Sequence, residues 1–182
     1  MVPALYLSIA RESIQKQFSG LEMDKKALLA TNPELSKPKA TFVTLTLRGQ
    51  LRGCIGSLVA HRNLLDDLIS NAQSAAFHDP RFPPLTPTEF TEINIEVSLL
   101  SEPKLVSYTD KADLKSFIHK DIDGVILRAG NYQATFLPQV WEELDDFESF
   151  FAHLGMKAGI GNDPLAYHPE IYTYQVEKIK EA

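Results

Sequence analysis

The chain has 182 residues, and 24 Asp and Glu against 18 Lys and Arg give it a net charge of −6. Hydrophobic residues make up 44% and charged residues 23%, a globular balance that excludes disordered, fibrous and low-complexity chains. An acidic total without a dense Lys/Arg stripe argues against nucleic-acid partners and anionic membranes, which need a basic footprint, and a single domain over 1–182, with room for two lobes, is the default at this length.

Taken in chain order, Leu5, Ile9 and Phe18 recur at broadly helical intervals over residues 2–19, and Gly20 is a natural stop, so an amphipathic helix is predicted. No basic region precedes this short apolar stretch, no small-residue cleavage site follows it, and no run reaches the roughly 18 apolar residues of a bilayer span. Together with the single Cys54, which excludes an intramolecular disulfide, this leads to the expectation of a cytoplasmic protein in a reducing compartment. After a loop around Asn32-Pro33 and Lys37-Pro38, residues 40–47 (ATFVTLTL) alternate apolar residues with Thr and predict a strand. Gly49 marks a turn, and residues 51–59 (LRGCIGSLV) read as the return strand, in which Gly53 and Gly56 signal a bulge or a close backbone approach. Residues 63–77 place Leu64, Leu65, Leu68, Ala72, Ala75 and Ala76 on one helical face with Asn63 as cap.

The segment HDPRFPPLTP, His78–Pro87, holds four of the eleven prolines and must leave the helix as a stiff, extended loop. From Glu92 to Leu100, Ile93, Ile95, Val97 and Leu99 alternate with Glu92, Asn94, Glu96 and Ser98, a strand with one apolar and one polar face. A helix is predicted over 110–119, a second hairpin over 124–136 around Gly130-Asn131, helical spacing from Pro138 to Gly155 or Gly159, and a closing strand over 171–179. Strands and helices mix without a regular βαβ repeat, which makes the class α+β: a mostly antiparallel sheet with flanking helices. No internal repeat or separating linker is visible.

Cys54 lies inside Leu51-Arg52-Gly53-Cys54-Ile55-Gly56. Strand alternation puts Arg52 and Cys54 on one side of the ribbon, where the guanidinium could lower the thiol pKa and activate a nucleophile. Gly53 and Gly56 would let a ligand approach the strand. The competing reading is that Cys54 is a small buried hydrophobe, as unpaired cysteines often are. Register separates the two. A two-residue Gly49-Gln50 turn pairs Leu45 with Cys54 and puts the thiol on the apolar face, whereas a three-residue turn over 49–51 puts it on the Thr44 and Thr46 face. Arg52 favours the second, since the first sets a guanidinium opposite Leu47.

Asp79 and Arg81 of the proline loop read either as ligand-binding groups or as a structural ion pair. Glu96, on the polar side of its strand, could orient Arg52 or act as a base, or could simply be solvated. His61, His78, His119, His153 and His168 show no zinc-ligand spacing, the His119-to-Gly124 run lacks the remaining ligands of a calcium loop, and no phosphate-binding or dinucleotide fingerprint is present. No metal and no cofactor are expected.

LRGCIG at 51–56, AAFHDPRFPPL at 75–85, VSLLS at 97–101, FLPQVWEE at 136–143 and KAGI at 157–160, in that order, resemble the AMMECR-type domain family over roughly Leu5 to Ile179. The resemblance implies a single AMMECR-type domain with two unequal lobes around a cleft near the hexapeptide. It also implies a pathway shared with Memo-like and radical SAM proteins as partners, and it assigns no biochemical activity. One cysteine cannot ligate an iron–sulfur cluster. Two expectations follow. The first is an enzyme or ligand-processing protein acting on a small-molecule ligand, with Cys54 as nucleophile, Arg52 as activator or anion clamp, and Asp79, Arg81 and Glu96 as polar supports. The second is a noncatalytic interaction module that presents LRGCIG and the proline loop to those partners.

Overall fold

The computed structural model describes residues 2–182 and is α+β, with six α-helices and eight strands in two four-stranded antiparallel sheets. The chain divides into two compact units, Met1–Leu100 with Glu177–Ala182, and Ser101–Val176. Among the described residues no helix is long and apolar enough to cross a membrane.

In the first unit, α1 (Val2–Ser19) ends at Gly20, whose φ of 71° is open to glycine at no steric cost. A short helix, α2 (Lys25–Thr31), follows in a stretch to which the sequence assigned no element; Asp24 caps it by accepting from Ala27 N–H. Its brevity, without any buried residue, leaves little periodicity to read. The sheet is ordered β2 (Gln50–Gly56), β1 (Ala40–Leu47), β3 (Ile93–Leu100), β8 (Val176–Lys180). Helix α3 (Leu64–Phe77) starts at Asn63, whose side chain accepts from Asp66 N–H. Val43, Leu45, Ile95 and Val97 point to one side of the sheet and join Ile9 and Ile14 of α1 and Leu65, Leu68 and Ala72 of α3 in the core, each 2% exposed or less. Each such residue contributes roughly 1.5–3 kcal/mol by leaving water. The opposite sheet face carries Thr44, Thr46 and Glu96.

The hairpin register differs from both predicted versions. The turn is Arg48-Gly49, both residues at positive φ (52° and 79°), and it pairs Leu47 with Gln50. That combination matches the right-handed twist of the strands. A bulge then leaves Arg52 without a partner, and pairing resumes as Leu45 with Gly53 and Thr44 with Cys54. The thiol therefore lies on the threonine face, reached through a two-residue turn plus a bulge rather than a three-residue turn. A bulge inserts one residue and so shifts every later side chain to the other face.

The second unit is built on β4 (Lys104–Leu105), β7 (Glu170–Tyr174), β5 (Gly124–Ala129) and β6 (Tyr132–Phe136), in that order. Helix α5 (Lys111–Phe117) is capped by Asp110, and α6 (Phe147–Ala158) by Asp146 and by left-handed Gly159. Pro138 opens only a short 3-10 turn, so the predicted continuous helix is two elements. Trp141 and Phe150 stack at 3.7 Å in a core with Val125, Leu127, Leu154 and Ile171. The predicted closing strand over 171–179 is also two strands. The chain leaves the second sheet after Tyr174 and enters the first at Val176, a change that unbroken alternation cannot announce.

Candidate functional site

Cys54 sits near the end of β2, an edge strand whose outer N–H and C=O groups have no neighbouring strand. The proline loop supplies what is missing. Asp79 accepts from Cys54 N–H (3.0 Å), and Arg81 Nη2 donates to the Cys54 carbonyl (3.3 Å). Arg81 closes on Asp79 through Nε (3.0 Å), Nη2 (2.8 Å) and its own backbone N–H (3.1 Å). Asp79 is only 4% exposed. The Arg81 side-chain hydrogen bonds, aided by the two backbone N–H groups, hold its carboxyl far below the usual carboxylate range against the opposing cost of burial. The Arg81 guanidinium is shifted up, first by Asp79 and also by the neighbouring Cys54.

The half-buried Cys54 sulfur lies 3.2 Å from the Thr44 hydroxyl. Thr44 is directly opposite Cys54 on one side and Glu96 on the other, so the three side chains form a row across β2, β1 and β3 on one sheet face. Glu96 also faces Lys180 at 3.4 Å. Asp79 and Arg81 are thus in contact with Cys54 at the sheet edge, while Glu96 shares its sheet face two strands away.

Arg52 is committed elsewhere. Its Nε and Nη2 donate to Glu89 (2.9 and 3.0 Å), and Nη2 also donates to the Pro83 carbonyl (2.8 Å). Glu89 belongs to α4 (Pro87–Phe90), where it forms a reciprocal capping box with Thr86. The Arg52 hydrogen bonds, followed in weight by that box, hold its carboxyl down to about 2. Arg52 Nη1 is buried without a hydrogen-bond partner among the described residues, and Phe82, 5.8 Å from the guanidinium, offers its ring face in part compensation. The cation against Cys54 is Arg81, while Arg52 fastens the bulge to the proline loop and α4.

At the glycines, the close approach is made by the protein itself. A Cβ on Gly53 would lie 2.1 Å from the Ala75 carbonyl oxygen of α3, and one on Gly56 would enter the Phe42 ring at 2.2 Å. Sequence reading missed two groups. Glu89 was legible as the fourth position of the Thr86-Pro87-Thr88-Glu89 capping signature. Asp67, 1% exposed, accepts from the Thr41 hydroxyl, Ser57, Arg62 and Asn71 at 2.7 to 3.0 Å and anchors the chain just after the hexapeptide. Its signal was a polar pair, Asp67 and Asn71, spaced i,i+4 on the otherwise apolar side of α3. Among the described residues no cluster of His, Cys, Asp or Glu is arranged to hold a metal ion.

Compared with known proteins, the chain matches the AMMECR1 family model over residues 7–179. A protein of Methanothermobacter thermautotrophicus is 38% identical over 180 residues, covering 96% of this chain and 92% of the relative. A protein of Sulfolobus acidocaldarius is 40% identical over 165 residues, covering 86% and 71%. The crystal structure of uncharacterized protein PH0010 from Pyrococcus horikoshii superposes with a TM-score of 0.80 at 31% identity, covering 97% of this chain and 90% of that one.

Proposed function

The chain belongs to the AMMECR1 family, and we propose that it is a ligand-processing protein in which Cys54 attacks an electrophilic carbon of a small molecule. One observation carries this reading: a half-buried thiol 3.2 Å from the Thr44 hydroxyl, with Glu96 in register on the far side of that threonine. In the step, the sulfur forms a bond to carbon and the leaving group departs with its electron pair. The thiol proton leaves to solvent water past the Thr44 hydroxyl, the side-chain group within hydrogen-bonding distance of the sulfur. The clamp of Asp79 and Arg81 on the Cys54 backbone fixes the direction of the thiol, and Arg81, half exposed, supplies positive charge for the thiolate or for an anionic ligand group. Arg52 is a positioning residue that holds the proline loop in place.

Iodoacetamide labelling of the native protein, followed by mass spectrometry, tests the reading. Cys54 is expected to alkylate without unfolding, and Thr44→Val to slow that reaction by roughly tenfold, the weight of one hydrogen bond to a charged group. A thiol that reacts only after urea unfolding, with a Cys54→Ser variant fully active in the pathway, would exclude the nucleophile.

A second reading draws on the exposure of Arg81 beside the capped edge of β2. In it the hexapeptide and the proline loop form a noncatalytic surface for a Memo-like or radical SAM protein. Here Cys54→Ala keeps function, whereas Arg81→Ala abolishes complex formation in a pull-down.

A further inference from the structure

The first unit contains a groove of about 450 Å³ that shares no residue with the Cys54 site. Its apolar lining comes from Leu64, Leu99 and Ile179, and its volume is that of a small-molecule site. Tyr6 also lines it. That residue is 7% exposed, yet its hydroxyl has no hydrogen-bond partner among the described residues. The hydroxyl is thus open to the groove's solvent and free to take a ligand partner. Burial, then the charges of Glu34 and Glu177, push the Tyr6 pKa up, so the hydroxyl keeps its proton and is available as a donor.

Four charged side chains share the groove. Lys37 and Glu34 satisfy each other at 2.9 Å. Glu177 and Lys39 have no ion-pair partner among the described residues, and they do not pair with each other. One carboxylate, one ammonium and one solvent-reachable hydroxyl are therefore without a protein partner along an apolar wall.

The geometry points to a binding site for a small zwitterion of the amino-acid type with an apolar side chain. Its ammonium meets Glu177, its carboxylate meets Lys39 and the Tyr6 hydroxyl, and its side chain covers Leu64 and Leu99. A ligand with a single charge leaves one of the two protein charges unanswered, so the pairing of opposite charges sets the specificity.

Titration of the full chain with L-phenylalanine, followed by amide NMR shifts, tests the site, with phenylpropionate and phenethylammonium as singly charged controls. Saturable shifts around Tyr6, Lys39 and Glu177 are expected, with each control binding about tenfold more weakly than phenylalanine. Glu177→Gln should weaken phenylalanine and phenethylammonium but not phenylpropionate, and Lys39→Met should weaken phenylalanine and phenylpropionate but not phenethylammonium. Both residues lie outside the core, so both variants should fold. Equal binding of all three probes, indifference to both substitutions, or no saturable shift in the millimolar range overturns the proposal.

Discussion

Asp79 and Glu89 are carboxylates of the same segment, each answered by an arginine, and in each the arginine's hydrogen bonds are the largest cause of a lowered pKa. A group whose pKa is depressed on folding stabilises the folded state above its unfolded value and loses that contribution as pH falls through the folded one. For Glu89 the window runs from the ordinary 4.5 down to about 2. Glu89→Gln should flatten acid destabilisation across that window while lowering stability near neutral pH, as urea denaturation at stepped pH would show. A wild-type profile unchanged by the substitution would refute the linkage. Asp79→Asn should cost about 1–3 kcal/mol, because Asn offers one oxygen where the carboxylate offers two to Cys54 and Arg81. The same urea series measures it.

Strand β2 is held on three sides: by β1 through pairing, by α3 through the contact of Gly53 with Ala75, and by side chains at its open edge. Gly53→Ala must push the strand away from the α3 backbone, since the blocking atom is a carbonyl oxygen that no rotamer can move. A loss of roughly 1–3 kcal/mol is expected, with near-native stability counting against the packing described. The turn offers the opposite case. Arg48 adopts φ 52°, a conformation that costs an arginine more than an asparagine, and its exposed pair with Glu92 contributes little. Arg48→Asn should therefore raise stability by about 0.5–1 kcal/mol in thermal unfolding, toward the Asn-Gly turn that hairpins favour.

For the whole molecule, the net charge of −6 sets non-specific behaviour. The protein should flow through a heparin column at low salt and bind an anion exchanger above its pI of about 5.4. Retention on heparin would reveal a basic surface that the charge count hides. Each unit has its own core, so a cavity in either is expensive. Leu127→Ala, at a fully buried position of the second core, is expected to cost about 2–5 kcal/mol by urea denaturation.

Much of this was legible in the residues alone. Periodicity and caps located α1, α3, β1 and β3 closely, because alternation and helical spacing are local consequences of which side of an element meets the core. The hexapeptide and the proline loop stood out through cysteine, glycine and proline, whose chemistry and backbone limits are properties of single residues. The sequence did not show the bulge at Arg52, the change of sheet at Gln175, the assignment of Arg81 rather than Arg52 to Cys54, or the pairing of Arg52 with Glu89. Those depend on contacts between residues distant along the chain, made by whichever partner folding brings within hydrogen-bonding reach. Spacing along one strand carries no information about that partner.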